Sequence, residues 1–273
     1  MDIVDLWVNV VSRRQQEDFV AQRGFEGVTG MLGSETGGIS DDEMVTLMDE
    51  QGVATGVLVS GLHRLEPTFD RCAAFPDRLL AAVGIEDATR PTANVKALRD
   101  AAANPAVVMV RVMPLVQQIP LNDRLYYPVY ALCEELGISV GINVGIPGPR
   151  VRSDCQAATR LEDVLIDFPD LRVIASHGAH PWEDRMIAYM LRWPNLYLSN
   201  SAFLAKYLDP KVVSFMDSSR GRDRLIWASD HPFLTMARAL DAAKALPVSD
   251  VAMANYLGGN ARRVLQRVGG EGG

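Results

Sequence analysis

The sequence predicts an α/β fold closed as a single (β/α)8 TIM barrel. Three observations predict it. Short apolar, β-rich runs recur along the 273 residues, with helix-period stretches between them. Each run is near-continuously hydrophobic, as suits strands buried on both faces. The first run leads into "VNVVSRR" rather than the Gly-rich phosphate turn that an open doubly wound sheet would carry there. A chain of about 250 residues is typical of one such barrel. No linker composition interrupts it, so one domain is expected over residues 1–268, followed by a disordered tail at 269–273 ("GGEGG").

The expected strands are 2–9, 53–59, 79–85, 106–112, 138–144, 171–176, 195–200 and 224–229. A helix is expected over Asp41–Gln51, where Met44, Leu47 and Met48 share a face. Another is expected over 122–136, with Leu125, Val129, Leu132 and Leu136 in phase and Gly137 as its C-terminal stop. Pro181 occupies an expected first helical position, and Glu183 and Asp184 complement the helix dipole. Helices over 209–216 and 235–246 continue the alternation. Between strand 1 and the first helix, 24–38 (GFEGVTGMLGSETGG) holds six glycines and lacks periodicity. It would lie above the catalytic face, as a lid or dimer-contact loop or as a plain insertion.

Hydrophobic residues make up 48% and charged residues 22% of the chain, ordinary values for a globular protein. The net charge is −7, with Lys and Arg scattered. Nucleic acid is therefore not an expected partner, since phosphate binding needs a basic stripe. No apolar run approaches the roughly 20 residues of a membrane span, and the opening residues lack a basic signal-peptide region. Cys72, Cys133 and Cys155 are widely spaced and read as free thiols of a cytoplasmic protein.

A barrel performs its chemistry at the C-terminal ends of its strands. Those positions carry Trp7 and Asn9, then His63, Glu86, Arg111, Asn143, Ser176-His177, Asn200-Ser201 and Ser229-Asp230-His231. Three of the four His, namely His177, His180 and His231, fall at or just past strands 6 and 8. His177 and Asp230 are the expected acid/base pair, with Asp230 orienting His177 directly or through water, or taking a proton itself. His180 and His231 each precede a Pro and are either substrate contacts or turn caps. Arg111 and Arg150 offer guanidinium groups for a carboxylate. The structural alternative for Arg111 is an ion pair with Glu86, and for Arg150 a solvated loop position.

The segments "DLWVN", "GINVGIPGPR", "IASHGAHPWED", "NLYLSNSAF", "WASDHPF" and "YLGGNARRVL" together resemble the amidohydrolase-related family. These are TIM-barrel metal-dependent hydrolases and decarboxylases of the aminocarboxymuconate-semialdehyde decarboxylase type. The resemblance spans nearly the whole chain, and "SHGAHPW" and "ASDHPF" are its most specific parts. It implies a metal held by a strand 1 His-x-His, a strand 5 His and a strand 8 Asp, with a strand 6 His as proton shuttle. Asp230 and His177 match. Trp7, Asn9 and Asn143 stand where three metal ligands would be. Trp offers a metal no lone pair, and an Asn amide oxygen is neutral and weak. The expectation is therefore no tightly bound metal, the alternative being a weak Mg²⁺ or Mn²⁺ site from Asn9, Asn143 and Asp230.

The expected function is an enzyme acting on a small carboxylated, aromatic or unsaturated metabolite. His177 and Asp230 would move protons. Asn9 and Asn143 would donate hydrogen bonds to a developing oxyanion, Arg111 would bind the carboxylate, and Trp7 would fill the vacated site or stack on a flat substrate. Hydrolysis and lyase chemistry, such as decarboxylation or hydration, both remain open, as do a weakly metal-dependent hydrolase and a non-catalytic binding barrel. A homo-oligomer, commonly a dimer, is implied by the resemblance.

Overall fold

The computed structural model describes residues 2–9 and 41–267. The Gly-rich segment 24–38 and the tail 269–273 lie outside the described residues. Eight parallel strands follow one another around a single sheet in chain order. They are β1 (Ile3–Asn9), β2 (Val53–Gly61), β3 (Leu79–Gly84), β4 (Val107–Val112), β5 (Ser139–Asn143), β6 (Val173–Ser176), β7 (Leu196–Ser199) and β8 (Leu225–Ile226). Helices α1 (Asp41–Gln51), α2 (Glu66–Ala74), α3 (Pro91–Ala101), α4 (Tyr127–Glu135), α5 (Leu161–Asp167), α6 (Glu183–Arg192), α7 (Pro210–Asp217) and α8 (Met236–Lys244) alternate with them. No described helix is long and apolar enough to cross a membrane, and the three cysteines are free and buried.

The period-2 alternation of strand side chains divides the interior into two clusters. Val8, Leu58, Val83, Val110, Ile142, Ala175, Leu198 and Trp227 point outward and pack on helix residues such as Met48, Leu98, Leu132 and Met186. Their neighbours Trp7, Val57, Ala82, Met109, Ile174 and Ala228 belong to a separate inner cluster. Two residues further along β4 and β6, on the same face, stand Arg111 and Ser176, and Asp230 follows in the turn beyond β8. Asn143 follows outward-facing Ile142 and so also faces the lumen.

The eighth strand is the shortest because its continuation bonds elsewhere. The Trp227 N–H donates to the Tyr256 carbonyl in the C-terminal helical segment (3.0 Å). The ring is completed one step later: the Asp230 N–H donates to the Trp7 carbonyl (3.0 Å), the Asn9 N–H donates to the His231 carbonyl (2.8 Å), and Val8 and His231 form a parallel bridge.

The "YLGGNARRVL" segment is structural. Tyr256 donates its hydroxyl to Asn200 Oδ1 (2.6 Å), and Asn260 donates to the Leu225 carbonyl (2.6 Å). Gly258 lies so close to the Asp2 carbonyl that a Cβ would sit 2.1 Å from it, so only glycine fits there.

Most expected elements fall within a residue or two of the observed ones. The exceptions are the eighth strand, expected to run to residue 229 but ending at Ile226, and the helix expected over 122–136, which begins only at Tyr127. Pro128 takes the second helical position, and a proline ring deeper in a helix would clash with the carbonyl four residues earlier. The helix after Pro181 likewise begins at Glu183, with Trp182 as its N-cap.

Candidate active site

The seam between β1 and β8 is built around a buried carboxylate. Asp5 accepts hydrogen bonds from Trp7 N (3.2 Å), Ser229 N (2.9 Å) and Ser229 Oγ. The same Ser229 Oγ accepts from His231 N (2.9 Å). No cation lies beside Asp5 among the described residues, and burial raises its pKa to about 6 against the pull of those hydrogen bonds.

Asp230 sits above this seam with φ +64°, a left-handed backbone that costs a non-glycine residue roughly 1–2 kcal/mol. Its bond to the Trp7 carbonyl holds the turn, and the strain aims the side chain at the lumen. Asn9 Nδ2 donates to Asp230 Oδ1 (2.8 Å) and to the His231 carbonyl (3.2 Å). The amide hydrogens expected to serve an oxyanion are therefore engaged within the protein, and Asn9 instead positions Asp230. Burial pushes the Asp230 carboxyl well above the ordinary carboxylate range. The Asn9 hydrogen bond and the Arg111 charge pull it down, and Asp5 pushes it further up.

His177 is likewise left-handed, at φ +70°. Its Nδ1 lies 3.1 Å from the Ser201 carbonyl and 3.0 Å from Ser201 Oγ. A carbonyl can only accept, so Nδ1 carries the proton and Nε2 carries the lone pair. Burial lowers its pKa to about 4, with Arg111 acting in the same direction and the Ser201 bond opposing. The imidazole is neutral near pH 7. Of the expected roles of Asp230, a direct bond to His177 does not form among the described residues, and Ser201 holds the imidazole ring. Ser201 stood at a strand end in the sequence, yet nothing there singled it out from Asn200, whose amide is committed to Tyr256 and Phe203.

Trp7 binds the two sides of the lumen together. It is 1% exposed. Its ring meets His177 edge-on at 4.9 Å, and the Arg111 guanidinium carbon stands 3.5 Å from its centroid. Trp7 thus fills the lumen, with Arg111 on one face of its ring and almost no exposed surface left for a flat substrate. Arg111 is buried, and burial lowers its pKa against the opposing pull of Asp230. A guanidinium nevertheless stays charged at neutral pH. The ion-pair alternative does not form: Glu86 binds Arg64 at 2.5 Å instead. Among the described residues no carboxylate lies within 4 Å of Arg111, its Nε lacks a partner, and Nη2 reaches only Met113 Sδ (3.3 Å).

The β4–β6 wall repeats this pattern. Asn143 Oδ1 and Ser176 Oγ are buried without hydrogen-bond partners among the described residues. They are register neighbours across β5 and β6. Gly141 lies beneath them, and a Cβ there would meet Ser176 Oγ at 3.6 Å. Nothing in the sequence flagged Ser176 over the His that follows it.

The remaining candidates stand apart. His231 is buried with Nδ1 unpartnered among the described residues, and burial lowers its pKa to about 4. His180 is exposed and pairs with Glu183 at 2.7 Å at the start of α6. Arg150 is exposed on the loop after β5. That loop is tied to the next one by Ile146 N–H donating to the His180 carbonyl (2.7 Å). Gly145, at φ +113°, passes so close to Ala179 that a Cβ would lie 3.0 Å from its backbone.

The donor set does not fit a tightly held zinc-type ion. Such a site needs about three imidazole, thiolate or carboxylate ligands. Trp7 has no lone pair and carries a cation on its face. Asn9 turns its NH₂ edge toward Asp230, and Asn143 keeps one neutral oxygen. No group of three or more His, Cys, Asp and Glu side chains suited to a metal occurs among the described residues.

The family model described as Amidohydrolase matches residues 41–267. A 2-keto-4-carboxy-3-hexenedioate hydratase of Sphingobium sp. is 31% identical over 181 residues, 55% of this chain and 52% of that protein. The chain thus spans about half the length of this curated relative. An uncharacterized TIM-barrel protein from Bordetella bronchiseptica superposes with a TM-score of 0.80 at 24% identity, over 97% of this chain and 98% of that one. A 5-carboxyvanillate decarboxylase from Novosphingobium aromaticivorans, complexed with manganese and 4-hydroxy-3-methoxy-5-nitrobenzoic acid, superposes with a TM-score of 0.71 at 15% identity, over 97% and 96%. These structures share the eight-stranded barrel, and the family match covers most of the chain, so the protein belongs to the amidohydrolase family of enzymes.

Proposed function

We propose that this enzyme is a lyase acting on a small carboxylated, unsaturated or aromatic molecule, and that it works by proton transfer without a tightly bound metal. The observation that carries the reading is Arg111, a buried guanidinium with no carboxylate within 4 Å among the described residues and an unpartnered Nε. A buried cation in that state is complementary to an anionic ligand. Asn143 and Ser176 beside it supply further unsatisfied hydrogen-bonding atoms, which favours a substrate lying against the β4–β6 wall.

The two titrating groups then divide the work. His177 presents an unprotonated Nε2 near neutral pH and accepts a proton. Asp230, with its pKa raised by burial, retains a proton to give. Arg111 stabilises negative charge developing on the substrate, and Asn143 Oδ1, an unsatisfied acceptor, takes a hydrogen bond from a substrate O–H or from water. In a hydration, His177 takes a proton from water as the C–O bond forms. Asp230 protonates the carbon at the other end of the former double bond. The hydratase activity of the Sphingobium relative favours this reaction. Decarboxylation would use the same donor, with a proton replacing carbon dioxide on carbon.

The test is a panel of conjugated keto-carboxylates and hydroxylated aromatic carboxylates, followed by loss of ultraviolet absorbance and by carbon dioxide release. Turnover by the wild type, abolished in His177→Ala and Asp230→Asn while ligand binding persists, is the expected result. Ligand binding with no turnover of any panel member, unchanged in His177→Ala, would favour a binding barrel instead.

A further inference from the structure

We infer that Arg111, stacked on Trp7, is the resident cation of this barrel and keeps divalent ions away from Asp230. The inference deepens the metal-free reading above and rests on it. Its readout is metal affinity rather than turnover, so the two fail separately.

The contact between Trp7 and Arg111 joins β1 to β4, three strands away around the ring, so it crosses the lumen. Trp7 is immobilised from several directions. Its N–H donates to Asp5 Oδ1 (3.2 Å), its carbonyl accepts from Asp230 N (3.0 Å), and its edge meets His177. The guanidinium carbon 3.5 Å above its centroid is therefore held on a rigid platform. Arg111 Nη2 also reaches a thioether sulfur, Met113 Sδ. A π face and a thioether attract a cation without neutralising it. The full positive charge thus remains in the lumen, where it acts on both Asp230 and His177.

Two obstacles to a metal follow from one pair of residues. The indole fills the volume of a ligand position, and the guanidinium repels an ion approaching the one carboxylate that would bind it. Trp7 is in this sense a positioning residue for Arg111. The pair also supplies what an ion would: a fixed positive charge facing the substrate, here with planar, directional N–H donors suited to a carboxylate.

The experiment restores ligands while keeping the platform. Asn9→His/Asn143→His gives, with Asp230, a set of two imidazoles and one carboxylate. Zinc affinity is measured by equilibrium dialysis and elemental analysis, with and without Arg111→Met, and with Arg111→Lys as a charge-retaining control. Arg111→Met is expected to tighten zinc at least about 100-fold in that background, and Arg111→Lys is expected to stay weak. Equal affinity with and without Arg111, no zinc uptake after Arg111→Met, Arg111→Lys behaving as Arg111→Met, or stoichiometric metal in the purified wild type would each overturn the inference. If the triple variant fails to fold, the single Arg111→Met and the wild type are titrated with Mn²⁺ and followed by Tm. Only the variant should gain stability, and an equal response would overturn the inference.

Discussion

The two sides of the barrel mouth treat their polar groups in opposite ways. Along the β1–β8 seam, Ser229 donates to Asp5, Asn9 to Asp230 Oδ1 and the Asp230 N–H to the Trp7 carbonyl, and His231 Nδ1 is the exception that stays without a partner among the described residues. Along the β4–β6 wall, Arg111 Nε, Asn143 Oδ1 and Ser176 Oγ are buried without partners among the described residues. Buried polar atoms are normally satisfied. The satisfied side therefore reads as the part that holds the ring closed and aims Asp230. The unsatisfied side reads as the part shaped for a molecule that brings its own polar atoms.

Arg111→Met is the largest break of that comparison. It should lower kcat/KM by about 1000-fold, an effect of about 4 kcal/mol. It should leave Tm unchanged or raised, because an unpaired buried charge is replaced by an apolar chain of similar length. A large fall in Tm would show that Arg111 belongs to the structural side after all.

Asp5→Ala should do the reverse and cost stability, by about 3 kcal/mol in urea unfolding, because it strands the donors of Trp7 and Ser229. A loss under about 1 kcal/mol would mean that the seam does not depend on its carboxylate.

The pH dependence of stability sharpens the comparison. His231 has a folded pKa of about 4, below its unfolded value, so its burial penalty is present at low pH and relieved as pH rises to about 6.5. The stability of His231→Gln minus that of the wild type should therefore fall between those limits. Asp5 has a folded pKa of about 6, above its unfolded value, so its penalty grows with pH. The same difference for Asp5→Asn should rise from about pH 4 to 6. Tm measured across this range checks both signs, and parallel curves would contradict both.

The smallest effect is expected at Asn9. Asn9→Ala removes the amide that lowers the Asp230 pKa, so the basic limb of the kcat/KM profile should move to higher pH, with about a tenfold loss of rate. A limb that stays in place would remove Asn9 from the positioning of Asp230.

Much of this was legible in the sequence, for identifiable reasons. Strands buried on both faces leave uninterrupted apolar runs, and a barrel places its chemistry at their ends, so Trp7, Asn9, Arg111, Asn143, His177 and Asp230 could all be named. What was not legible depends on contacts between distant segments. Asp5 binds Ser229 across 224 positions, and Ser201 fixes the His177 tautomer across 24. The left-handed turns at His177 and Asp230 fall on residue types that tolerate that conformation but far more often adopt others, so the sequence does not mark them. The direction of the Asn9 amide is decided by its bond to Asp230, which no local pattern encodes.

The central claim is that the Arg111 guanidinium supplies the positive charge this site uses, with no tightly bound ion. It is tested most directly by kcat/KM on a carboxylated substrate after exhaustive chelation, compared with untreated enzyme and with Arg111→Met. The account predicts full activity after chelation and its loss in Arg111→Met. Activity that disappears on chelation and returns with Mn²⁺ would contradict it.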